Sequence, residues 1–304
     1  MIVVYYILLR PISLIPIRIL YLCRYPVYLL IFKIFHYRNK TIDQNIYRSF
    51  PHKSIQERNT IKKEFQKFFV TLLIESIKNI DISKQDLKSR FQFENGHILH
   101  ELFKEKKSVV LISSHYNNWE WLITSLGIHF NHQIYGIGMP LSNKFFNKKI
   151  NAKRERFGLT VIDSQNYKSI LKNCKEPFAV LTLADQSPSK SENAYWLNFL
   201  AQNTGVIFGP EYIANQFDTA VVYLKIERIS VGNYKCNIQL LEKDVKKLGF
   251  GKITEQHVGI LESQIIQNPS NWLWSHKRWK RKLPENLKSL YEHQKLKFNQ
   301  KFRI

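Results

Sequence analysis

Two rhythms of apolar and polar positions run along this chain. In and just beyond NIYRSFPHKSIQERNTIKKEFQKFF (45–69) apolar side chains return every three or four positions, at Ile61, Phe65, Phe68 and Leu72, which predicts one buried face of a long helix. Its start is marked by Ser54 with Glu57 three residues on, after Pro51 has closed the preceding segment, the spacing of a capping box. From residue 108 the rhythm changes to short continuous apolar runs: SVVLISS (108–114), QIYGIGM (133–139), LTVID (159–163), FAVLTLAD (178–185) and AVVYLKIE (220–227). Helix-length intervals separate them, whereas YKCNIQLLE (234–242) follows the last run closely enough to form a hairpin. Strands alternating with helices predict an α/β fold with a mainly parallel central sheet flanked by helices. With no internal repeat and no Gly/Ser hinge, residues 41–304 are expected to form a single domain behind a distinct segment 1–40.

That segment, MIVVYYILLRPISLIPIRILYLCRYPVYLLIFKIFHYRNK, is apolar and aromatic and lacks acidic residues. Arg10, Arg18 and Arg24 interrupt it, as do Pro11, Pro16 and Pro26, so no uncharged run of about 18 residues remains to span a bilayer. Arginines inside the apolar stretch and the lack of a small-residue cleavage site also argue against a secretory signal. The expectation is an uncleaved, membrane-seated helical segment, interfacial or bent, with arginines reaching lipid phosphates. The alternative is a helix buried in a soluble protein. Six Lys/Arg within 1–40 place its flank on the cytoplasmic side.

Charge narrows the partners. The formal net charge of +22 at pH 7 points to polyanions, whether nucleic acid, anionic membrane or acidic protein and phosphorylated substrate. The basic tail WSHKRWKRKLPENLKSLYEHQKLKFNQKFRI (274–304) reads as a solvated, partly frayed helix beyond about residue 285. In HKRWKRK (276–282), interleaved tryptophan suits nucleic-acid phosphates or anionic lipid. Cys23, Cys174 and Cys236 are widely spaced, which argues against a disulfide framework or a zinc ribbon. HFNH (129–132) has two histidines but no adjacent cysteine or carboxylate, and is read as surface or loop histidines. The chain has neither GxxxxGK[ST] nor GxGxxG, so nothing supports nucleotide binding and no cofactor is expected. Ser187 and Lys190 in SPSK lack the companion motifs of the S-x-x-K hydrolases.

The chemistry concentrates in SSHYNNWEW (113–121), where a strand hands over to a helix. Five helical positions place two side chains roughly 140° apart. His115 and Glu120 therefore meet only if His115 lies on the strand-end turn and Glu120 in the first helical turn. Asn118 suits the N-cap and Asn117 a left-handed turn position. A carboxylate on one imidazole nitrogen fixes the tautomer and makes the other nitrogen a general base toward a hydroxyl. The alternative is a structural histidine capping the helix, with Trp119 and Trp121 in the core.

SSHYNNWEW, together with NIYRSFPHKSIQERN (45–59) and NPSNWLWSHKRWK (268–280), resembles the lipid A biosynthesis lauroyl/myristoyl acyltransferases, in the same order over nearly the whole chain. The resemblance implies a glycerolipid-acyltransferase-like fold and O-acyl transfer from acyl carrier protein, or acyl-CoA, to a hydroxyl of a phosphorylated glycolipid. The expected place is the cytoplasmic face of the inner membrane. His115 becomes the general base and Glu120 its orienting partner. Arg154 in KRERFG (153–158), with Arg156 as competitor, is expected to bind the acidic substrate. Asp185 and Gln186 fall at a strand-end site near the acceptor, unless Asp185 merely satisfies a turn. Asn118 is also placed among the substrate-binding residues. Asn117 stands where many members carry glycine. Alternatives are the same chemistry on another membrane lipid or amphiphile, or a non-catalytic basic protein that binds membrane or nucleic acid.

Overall fold

The computed structural model describes residues 2–303. Among the described residues nine strands form in order: β1 (Phe91–Glu94), β2 (Val109–Ser113), β3 (Gln133–Gly138), β4 (Leu159–Asp163), β5 (Phe178–Leu183), β6 (Ala194–Phe199), β7 (Gln202–Ile207), β8 (Ala220–Ser230) and β9 (Asn233–Glu242). Seven make one sheet in the order β1-β9-β8-β2-β5-β3-β4. All its neighbours pair in parallel except β8 and β9, which form the expected antiparallel hairpin. The six apolar runs all become strands. β1, β6 and β7 were not foreseen; the last two form a separate antiparallel hairpin.

Short helices open the chain: α1 (Arg10–Leu14), α2 (Ile17–Leu22) and α3 (Arg24–Tyr28), flanked by wider π-helical turns at Val4–Leu9 and Leu29–Ile34. The break before α2 has a simple cause. Ile15 precedes Pro16 and is extended, with ψ 138°, as steric clash with the proline ring demands. No helix among the described residues is long and apolar enough to cross a membrane. Helices α4 (Asn39–Ser49) and α5 (Ile55–Lys78) follow. Ser54 and Glu57 form both halves of the capping box at the start of α5. The N-terminal helices dock on α5 through buried Leu20, Tyr28 and Phe32, while buried Ile17 joins the core cluster of Ile82, Leu87 and Trp121. Arg10 and Ser13 bind Asp81, and Lys78 Nζ donates to the carbonyls of Ser13 and Ile15. The outer face keeps Ile7, Leu14, Leu22, Tyr25, Ile34 and Phe35 exposed. The segment is thus neither fully buried nor free: one side is core and the other is bare hydrocarbon.

The remaining helices are α6 (Lys84–Arg90), α7 (His97–Lys104), α8 (Trp119–His129), α9 (Lys144–Glu155), α10 (Tyr167–Lys172), α11 (Gly209–Phe217), α12 (Lys252–Gln267) and α13 (Leu287–Phe302). Gly127 of α8 lies against the backbone at Phe157 and Gly158, so tightly that a Cβ there meets the Phe157 carbonyl. This close approach holds α8 against the α9–β4 turn. The tail differs from the frayed helix expected. α13 is anchored by Phe298, which packs on Phe208 and Phe250, with Tyr195 in the same cluster.

Candidate active site

Strands β2 and β5 are parallel neighbours in the middle of the sheet, with Ser113 opposite Leu183. The Ala184 amide still donates to the Ser113 carbonyl (3.0 Å). Carried two residues further, this register sets His115 beside Asp185. Both leave the carboxyl ends of strands, where α/β sheets open their ligand crevices. The His115 backbone N–H donates to Asp185 Oδ1 at 3.0 Å, and His115 Nδ1 lies 2.7 Å from the same oxygen. Trp272 Nε1 donates to Asp185 Oδ2 at 2.8 Å. Burial raises the Asp185 proton affinity, but the His115 charge and these hydrogen bonds outweigh it and hold the carboxyl down at about 2. An ionised Asp185 can only accept, so Nδ1 carries a proton; whenever the imidazole is neutral, the lone pair is therefore on Nε2. Gln186 Nε2 stands 3.1 Å from that Nε2. The Trp119 ring meets the imidazole edge-on at 5.0 Å.

The turn is built as its asparagines foretell. Asn117 adopts φ 55°, and its Nδ2 donates to the Ile226 carbonyl on β8 (2.8 Å). Asn118 caps α8 by accepting from Trp121 N. Its amide Nδ2 donates to Glu75 Oε2 (2.7 Å), so this buried side chain is spent within the fold rather than turned to substrate. Glu75, fully buried on α5, also accepts from Tyr234 (2.7 Å) and Tyr21 (2.9 Å). It thereby ties the N-terminal segment to the base of the turn.

Glu120 takes a different place from the one expected. It lies in the first turn of α8 and His115 on the strand-end turn, as the pairing required, yet its carboxylate faces α9. There Lys153 Nζ lies 2.8 Å from Oε2, and Arg154 reaches both oxygens, at 2.5 and 3.3 Å. Two cations at the end of α9 capture it, while Asp185 and Gln186 occupy the two imidazole nitrogens. Burial opposes its charge, but Lys153 and Arg154 pull the Glu120 carboxyl far below the usual range. Arg154, expected to meet an acidic substrate, is neutralised by this pair. The Arg156 guanidinium donates to the carbonyls of Asn79, Ile80 and Ile82 beyond the end of α5. A depressed carboxyl stabilises the fold fully above the ordinary carboxylate range and loses that contribution as pH falls toward its folded value. Glu120→Gln is therefore expected to cost about 3 kcal/mol at neutral pH by stranding two cations. The gap to wild type narrows below about pH 4; thermal unfolding across pH measures both.

The C-terminal block packs against the strand-end turn. Trp272 holds Asp185, and Tyr116 pairs with it in a backbone bridge. The Asn117 amide donates to the Asn271 carbonyl (2.9 Å). Trp272 and Trp274 are core residues packed edge-on at 4.8 Å. The HKRWKRK cluster is mostly a clasp: His276 accepts from the Ser187 amide, Arg278 donates to Gly205 O, Trp279 to Thr204 and Arg281 to Pro188 O. His132, in HFNH, is buried against Phe103, and His129 packs on Phe93, so these are partly core residues rather than surface ones.

A histidine with a proton fixed on Nδ1, an open strand end and the amides opening α8 can together deprotonate a hydroxyl and receive an oxyanion. No curated protein matches this chain. A model of the bacterial lipid A biosynthesis acyltransferases matches residues 1–281. The protein therefore belongs to the bacterial lipid A biosynthesis acyltransferase family.

Proposed function

We propose that the protein transfers a fatty acyl chain from a thioester donor, acyl carrier protein or acyl-CoA, to a hydroxyl of a phosphorylated lipid A precursor. The observation that carries this is the His115–Asp185 pair at the ends of β2 and β5. Asp185 holds the Nδ1 proton, and His115 Nε2 takes the proton of the acceptor hydroxyl where Gln186 now stands. The alkoxide attacks the thioester carbonyl, and the amides opening α8 receive the charge of the tetrahedral intermediate. Collapse breaks the C–S bond, and the thiolate takes the proton from Nε2. In this reading Asp185 has the orienting role first expected of Glu120, and the Glu120–Lys153–Arg154 cluster fixes α9 beside the site.

The reaction sits at the cytoplasmic face of the inner membrane. The exposed apolar side of residues 2–40 lies in the lipid surface, and the six basic residues of that segment remain with the anionic headgroups. A net charge of +22 suits both an acidic carrier protein and a phosphorylated acceptor. The purified full chain is expected to move a lauroyl group from acyl carrier protein to a lipid A precursor in mixed micelles. An acceptor left unmodified with either donor, while another membrane amphiphile is acylated, overturns the acceptor class and keeps the chemistry.

A further inference from the structure

Beside Asp185, against Ser113 and Ser114 at the end of β2, lies a small cavity with room for about one water molecule. Asp185, Arg278 and His257 share its wall with Tyr223 and apolar residues of α12. It is far too small for an acyl chain, and its interest is electrostatic. Arg278 is 3% exposed, a rare burial for arginine. Its guanidinium donates to Gly205 O at 2.8 Å, but its Nε makes no hydrogen bond and it forms no direct ion pair among the described residues. A charge buried with one neutral acceptor is several kcal/mol out of balance unless an opposite charge lies nearby. Asp185 has the matching difficulty. Its imidazole partner must be neutral to act as a base, and the carboxylate then has only neutral donors.

The titratable groups facing the pair are His257 from α12, Tyr223 from β8, and His276 and Arg278 from the C-terminal segment, with Lys280 farther out. Burial pushes both His257 and His276 down to about 4, so neither is charged at neutral pH. Burial also lowers Arg278, to about 10, which leaves it a cation, and the charge of Asp185 supports it. Tyr223, raised by burial, stays neutral.

We propose that Arg278 is a positioning residue for acyl transfer: it is the counter-cation of Asp185 across the shared cavity, and its charge keeps His115 unprotonated and ready to act as base. The inference rests on the His115–Asp185 reading above. It assigns a role to one residue of the basic C-terminal cluster that phosphate or lipid binding does not explain. Removing the cation leaves Asp185 to find its counter-charge in the imidazole, which then holds its proton to higher pH and fails as a base at neutral pH.

Two substitutions separate charge from packing. Arg278→Gln keeps a donor for Gly205 O and removes the charge; Arg278→Lys keeps the charge. With lauroyl acyl carrier protein and a lipid A precursor, Arg278→Gln is expected to lower kcat/KM on the order of tenfold at pH 7, the effect of one unit charge at an effective dielectric near 20. Its rate should recover as pH rises, whereas Arg278→Lys keeps the wild-type pH profile whatever its absolute rate. A loss of equal size at every pH, or an unshifted profile in Arg278→Gln, overturns the proposal. A second measurement needs no turnover. In a thermal unfolding cycle, Asp185→Asn should cost less in the Arg278→Gln background than alone; additive costs overturn the coupling. If Arg278→Gln alone does not accumulate, adding Asp185→Asn should restore soluble protein, and failure to do so also counts against it. Because the cycle is independent of acyl transfer, it can succeed even where the transfer reading fails.

Discussion

Replacing His115 with alanine is expected to remove nearly all acyl transfer while the protein stays folded. Loss of a positioned general base costs about 10²–10⁴-fold, and nothing else at the strand ends supplies a basic nitrogen in the same place: His257 and His276 are committed to the interior around the cavity and the Ser187 loop. The fold should survive because the backbone bond from His115 N to Asp185, and the bond from Trp272, do not depend on the imidazole. The lost side-chain hydrogen bond is worth about 1 kcal/mol. Rate and thermal unfolding, measured on the same preparation, check both halves. A variant that unfolds reports on structure instead, and one that turns over normally removes His115 from the mechanism.

Asp185→Asn is the second large effect, and its cause can be derived atom by atom. Three donors converge on the carboxylate: His115 N and Nδ1 on Oδ1, and Trp272 Nε1 on Oδ2. An amide has one oxygen, so its NH2 must face either the indole N–H or the two His115 donors. The first arrangement leaves two donors opposed. The second leaves the His115 backbone N–H opposed, and its clash with Nδ1 is relieved only if the imidazole moves its proton to Nε2, which deletes the lone pair that the acceptor hydroxyl needs. In both arrangements the imidazolium formed in the reaction loses its counter-charge, so the loss falls on kcat, on the order of 10²–10⁴-fold, with KM little changed. Glu120→Gln makes the useful contrast. Its charge is spent on Lys153 and Arg154, so its main cost is stability. A larger loss of kcat in Glu120→Gln than in Asp185→Asn would return the orienting role to Glu120.

Local signals in the sequence reached as far as local structure reaches. The capping box at Ser54, the six apolar strands, the Asn118 cap and the left-handed Asn117 all follow from side-chain chemistry within a few residues. The histidine was legible for the same reason, because a strand end running into a capped helix is a local pattern. Its partner was not. Asp185 lies seventy positions away, and only the parallel register of β2 and β5 brings it alongside; the apolar runs predict strands but not which of them are neighbours. Glu120 was attractive because it was near in sequence, and the two cations that draw it away sit on α9. Strand β1 is four residues long, and β6 and β7 mix polar with apolar positions, so neither carried the continuous apolar signal of the central sheet. Trp272 stands in NPSNWLWSHKRWK, just ahead of the basic, aromatic tail. That tail reads as a surface patch in one dimension, and becomes the back wall of the site once the chain returns across β2.

The most direct test of the account is mass spectrometry of lipid A from cells lacking this protein, complemented with wild type, His115→Ala or Asp185→Asn. One acyl chain should disappear in the deletion, wild type should restore it, and neither variant should do so when expressed at the same level. Lipid A unchanged by the deletion contradicts the proposed acceptor, and restoration by His115→Ala contradicts the proposed base.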